Sequence, residues 1–184
     1  MKTKPTLDGT LEAVSGINTI ASELVQKLIS NYRDNQMQAV NKELGITDSH
    51  AIWFDLPKLK NFIACIENEA AKVNPEVSEA DLGIRFYYAA YPKAEDWGIM
   101  ENHPVEREYA ERHTLVMVPT LKKADENGEM LDYDFCPLIG GSTLAMASKG
   151  DGDGDGETFP PETLAENHGT LSPPHNTKVE QFPN

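Results

Sequence analysis

Cysteine is nearly absent from this chain of 184 residues, with Cys65 and Cys136 its only two. Two cysteines build no disulfide framework, so a reduced, cytoplasmic protein is the expectation. Long apolar runs are missing as well. No stretch approaches the roughly 18 uninterrupted apolar residues of a membrane-spanning helix. The start, Met1-Lys2-Thr3-Lys4-Pro5, leads into no apolar segment of the kind a secretory signal carries. Basic residues are scarce, at 16 Lys and Arg against 30 Asp and Glu, a net charge of −14. Residues 121–184 hold 4 basic and 12 acidic side chains and so contribute −8 of that total. Such a field repels nucleic-acid phosphates and anionic membranes and favours cations or basic partners.

Catalytic signatures are equally scarce. There is no Gly-x-Ser-x-Gly elbow for a nucleophilic serine, and Cys65, on an expected helix, reads as a packed thiol. Gly140-Gly141-Ser142-Thr143 lacks the lysine and spacing of a phosphate loop. His103 and His113 stand ten residues apart with Pro104 between them, which is not the His-Glu-x-x-His spacing of a zinc helix. His168 and His175 are read as tail residues for the same reason.

What is present is clear hydrophobic patterning. Leu11, Val14, Ile17, Ile20, Leu24, Leu28 and Tyr32 recur at three- or four-residue steps, one apolar helical face. Gln26, Lys27, Asn31, Arg33 and Asp34 fall mainly on the other side, and Gly45 is the expected end. Packing of that face on the protein's own core is expected over docking to a partner. Ala51-Ile52-Trp53-Phe54 reads as a short buried strand. Asp55 then caps a helix with Pro57 in its first turn, Leu59, Phe62, Ile63 and Ile66 on one stripe, and Asn74-Pro75 as the stop.

Residues 83–91 read as a strand, with Ile84, Phe86, Tyr88 and Ala90 on one face and Arg85, Tyr87, Ala89 and Tyr91 on the other. Residues 92–112 read as loop with a short helix near 105–112. The strand beginning at Thr114 and a partner at 130–135 flank Asp125-Glu126-Asn127-Gly128, a hairpin signal. The fold class is therefore α+β: a helical segment over 1–48 packed on a small mixed or antiparallel sheet, with a β-α-β-β-β middle over 51–137. Residues 138–184, rich in Gly, Pro and Asp, are expected to be an irregular acidic region, partly linker, with short helices at 142–148 and 162–167.

Two constellations suggest sites. Asp151, Asp153 and Asp155 alternate with glycines, Gly156 takes the sixth place, Glu157 the seventh and Glu162 the twelfth. That is the spacing of a Ca2+-coordinating loop, with oxygen donors at alternate positions, a glycine for the turn and a bidentate glutamate to close. Thr158 at the eighth place, Phe159 at the ninth, a weak entering helix and the lack of a second loop favour an acidic linker over a Ca2+ site. The second constellation is Arg85, Tyr87 and Tyr91 on one strand face, with Trp53 on a neighbouring strand, suited to a carboxylate or planar ligand. A non-catalytic binding protein with a basic protein partner is the leading expectation. The alternatives are a Ca2+-binding protein and an enzyme for a small acidic or planar substrate, using Arg85, Tyr87 and His113.

Overall fold

A computed structural model describes residues 19–139 and 163–175. The fold is α+β, as the patterning requires. Helix α1 (Ser22–Asn31) runs through a π-helical turn at Tyr32–Gln36 into α2 (Met37–Leu44), which Gly45 ends in the left-handed conformation at φ 68°. Only glycine enters that region without a Cβ penalty. The π turn inserts one extra residue and so rotates the faces that follow. Arg33, expected among solvent-facing polar residues, is consequently buried, and its guanidinium donates to His50 Nδ1 at 3.3 Å. Ile20, Leu24, Leu28 and Leu44 remain more than half exposed. The helical segment is tied to the domain by polar contacts, among them Arg33 with His50 and the Asp48 N–H donating to Asn41 Oδ1 at 2.8 Å. The residues Leu11, Val14 and Ile17 lie outside the described residues.

Strand β1 (Ala51–Trp53) precedes α3 (Leu56–Val73). Asp55 caps that helix by accepting the Lys58 N–H at 2.7 Å, and Pro57 costs nothing in a first turn whose N–H groups lack helical partners. Asn74, extended at ψ 104° before Pro75, stops it. Phe62, Ile66 and Ala70, at four-residue steps, form its buried stripe.

That stripe lies on an antiparallel sheet in the order β2-β3-β4, made of Leu82–Ala90, His113–Ala124 and Met130–Asp134. Phe62, Ile66 and Met117 centre one core, with Phe54, Leu59, Leu82, Ile84 and Leu164 around them. Burying side chains of this kind is worth about 1.5–3 kcal/mol each. The β3–β4 turn forms as its residues dictate. Asp125 accepts from the N–H groups of Asn127 and Glu129 at 2.9 and 2.8 Å, and Gly128 takes φ 82°. These bonds hold the Asp125 carboxyl below its ordinary range, the Glu129 N–H first among the causes.

The helix expected at 162–167 does not form over the described residues 163–167. These are irregular apart from Glu166, which bridges Met117 of β3 through paired N–H···O bonds of 2.9 and 3.1 Å. Strand β5 (Thr170–Ser172) then pairs antiparallel with β1, setting Leu171 opposite Ile52. The C-terminal segment thus returns to the domain beyond the boundary expected at 137. Leu171 is fully buried and, with Tyr91 and Tyr109, centres a second core. A strand of three residues, with Thr170 its one strong β-former, is too short to leave a periodic signal. Residues 92–112 turn through 3₁₀ segments at Ala94–Met100 and Arg107–Tyr109 rather than a single helix.

Candidate interaction edge on the central sheet

Strand β2 pairs with β3 along all of its nine residues, from Leu82 opposite Leu121 to Ala90 opposite His113. Among the described residues its outer edge has no strand partner. A long edge of this kind exposes backbone N–H and C=O groups ready to pair with another chain. The usual protections are few here. Arg85 is the only charged residue of the strand, and its guanidinium is turned across the sheet. It binds the carboxylate of Asp134 on β4 and donates to the Asp132 carbonyl at 2.7 Å, while the Tyr87 hydroxyl donates to the same Asp134 carboxylate. The network spans β3 and locks β2 and β4 to it on one face. It holds the Arg85 guanidinium more firmly charged than usual, the Tyr87 phenol being the largest cause, burial opposing it next, and the charges of Asp134 and Asp132 adding smaller effects.

The opposite face carries Leu82, Ile84, Phe86 and Tyr88. Leu82 and Ile84 join the core with α3, whereas Phe86 is half exposed and Tyr88 is 93% exposed. Between α3 and the head of β2 lies an open groove of about 310 Å³. Its walls are Ile63, Ile66, Leu82 and Ile84, with Glu67 and Glu79 beside them and the Gly83 backbone bare. Gly83 is needed here, because a Cβ would stand 2.7 Å from Thr120 Oγ1 on the neighbouring strand. Just before the strand, Ser78 and Asp81 form a reciprocal cap, and the Ser78 hydroxyl lowers the Asp81 carboxyl.

The structure brings two of the three sequence-predicted binding residues together. Arg85 and Tyr87 meet on Asp134, a partner the sequence reading missed. The hairpin register would have found it, since Asp134 lies opposite Thr120, which lies opposite Gly83. Tyr91 falls past the end of β2 and is 5% exposed, packed against Tyr109 and Trp97 with ring centroids 5.7 and 6.1 Å away. Trp53 sits on β1, which pairs with β5 and not with β2. His113 lies opposite Ala90, five residues along from Arg85, roughly 17 Å of strand. Arg85, Tyr87 and His113 therefore line no common pocket. The Ca2+-loop residues Asp151, Asp153, Asp155, Glu157 and Glu162, and Gly140-Gly141-Ser142-Thr143, lie outside the described residues. Among the described residues no three His, Cys, Asp or Glu side chains are grouped to hold a metal. None of their helices is long and apolar enough to cross a membrane.

No family model, curated protein or solved structure matches this chain.

Proposed function

We propose that this chain is a binding protein without chemistry of its own, which takes an extended, basic segment of a partner polypeptide onto the outer edge of β2. The observation that carries this reading is the nine-residue edge running beside an apolar groove flanked by two carboxylates. An added strand draws affinity from main-chain hydrogen bonds and specificity from alternate side chains that enter pockets. A lysine or arginine suits the groove. Its methylene stem lies along Ile63, Ile66, Leu82 and Ile84 while its charged head reaches Glu67 and Glu79. The net charge of −14 draws such a segment in from a distance and repels a second copy of the same chain.

The test is a titration of the protein with a capped peptide alternating lysine and valine, against one alternating glutamate and valine. The reading expects binding of the first alone, weakening as salt is raised. Equal binding of both, or of neither, contradicts it.

A further inference from the structure

The groove beside β2 is the head of a longer lane. Beyond Ile84, the same face of the strand carries Phe86 and Tyr88 at two-residue steps, about 7 Å apart along the strand. Phe86 is 52% exposed and Tyr88 93% exposed, on an edge that has no strand partner among the described residues. Natural edges are usually blunted by charge, and large open rings in that position favour a neighbour that covers them.

The two faces of the edge differ in charge. Arg85 stands on the face shared with Tyr87. There a cation brought in on an added strand meets a like charge and finds the Asp134 carboxylate already engaged. The lane carries no cation of β2 and has Glu67 and Glu79 at its head. Aromatic rings present a negative π face, and a guanidinium stacks on it. An apolar neighbour would suit the rings, but neither the two carboxylates nor the net charge of −14.

We infer that the β2 edge recognises a segment with basic side chains at every second position. One lies along the groove with its head at Glu67 and Glu79, and arginines cover the Phe86 and Tyr88 rings. Uncharged residues between them face Arg85 and Tyr87. This inference rests on the β2-edge reading and adds to it the pattern of the partner. Arginine suits the rings better than lysine, because its guanidinium is planar. A slip of one residue would carry every cation to the Arg85 face, so the alternation also fixes the register.

The test titrates the full chain with three capped peptides: Lys-Val-Arg-Val-Arg-Val, its isomer Lys-Arg-Arg-Val-Val-Val, and Lys-Val-Gln-Val-Gln-Val. The alternating arginine peptide should bind tightest. The isomer has the same charge and composition, and should bind more weakly. Tyr88→Leu should weaken the alternating arginine peptide about 2–5-fold, the worth of one exposed cation–π contact, and leave the glutamine peptide unchanged. Tyr88→Phe keeps the ring face and should keep the affinity. Tyr88 is exposed enough for both variants to fold. An isomer that binds as tightly as the alternating peptide overturns this inference. So does a Tyr88→Leu variant that loses nothing while the parent binds, and that result leaves the β2-edge reading standing. No binding of any of the three to the parent protein overturns the edge reading itself, and this inference with it.

Discussion

Asp48 and His113, sixty-five residues apart, meet with Oδ2 2.6 Å from Nδ1. The carboxylate side chain is wholly buried, while the imidazole is 39% exposed. The other carboxylate oxygen accepts the N–H groups of Ser49 and His113, both at 2.8 Å. One side chain thereby joins the segment after α2 to the first residue of β3. Asp48→Ala strands both N–H donors and should cost about 1–3 kcal/mol, lowering the melting temperature by about 2–4 °C per kcal/mol for a domain this size. Asp48→Asn keeps one acceptor oxygen and should cost less. Equal melting of Asp48→Ala and the parent protein would remove this carboxylate from the account.

Gly169 offers a sharper steric test. Gly169→Ala drives a methyl into Ile52 and Phe54, with the Phe54 ring unable to retreat without disturbing the α3 core that it joins. Overpacking of this order costs about 1–3 kcal/mol. The β1–β5 pairing should loosen first, seen as faster amide exchange across residues 51–53 and 170–172 with β2–β3 protection unchanged. An alanine variant as stable as the parent would show that this approach is not tight.

Acid should weaken the helix anchor. Burial, and then the Arg33 charge, lower the His50 pKa from 6.5, because the folded state favours the neutral ring. The unfolded chain therefore binds this proton first as pH falls. The contribution is complete above the ordinary value of 6.5 and is lost as pH drops through the lower folded value. Urea midpoints on either side of that window should fall with acid, and His50→Gln should flatten the change. An identical pH dependence in the variant would contradict the assignment.

At the alkaline end the sign reverses. Burial raises the Tyr91 phenol above 10.0, partly offset by a hydroxyl neighbour. Its contribution is complete below 10.0 and disappears as pH climbs through the higher folded value, because the unfolded chain ionises first. Tyrosinate absorbance should show part of the titration delayed until the protein unfolds, and Tyr91→Phe should reduce that fraction without abolishing it, since burial also raises Tyr32 and Tyr109. A variant with the full delayed amplitude would place the effect elsewhere.

Much of the frame was legible because local rules and tertiary packing agree. Asp55 with Pro57 marks the start of α3, Asn74-Pro75 its end, and Asp125 to Gly128 the β3–β4 turn, each through bonding that depends on neighbours in sequence. The alternation at 83–91 put Arg85 and Tyr87 on one face correctly, but periodicity stops where the strand stops. One residue past Ala90, Tyr91 follows the loop into the second core instead. Strand β5 stayed hidden because its signal is a pairing partner far away in the chain, Ala51–Trp53, and not a pattern of its own. Arg33 misled for a related reason, since the π turn at Tyr32–Gln36 shifts the helical period within five residues. The groove beside β2 was invisible to any local reading, as its walls come from α3, the turn before β2 and β2 itself.

The measurement closest to the central claim maps where a basic strand sits. Backbone amide shifts would be recorded as the lysine–valine peptide is added to the unaltered protein and to a Glu67→Lys, Glu79→Lys double variant. Both positions lie at the surface of the groove, so the fold should survive the exchange. The account predicts shifts concentrated along residues 82–90 and the groove wall of α3, with affinity at least about tenfold weaker in the variant as opposite charges become like charges. Shifts scattered over other acidic surfaces, or an affinity unchanged by the double exchange, would contradict it. So would a concentration-dependent dimer joined through β2, which would make a second copy the partner.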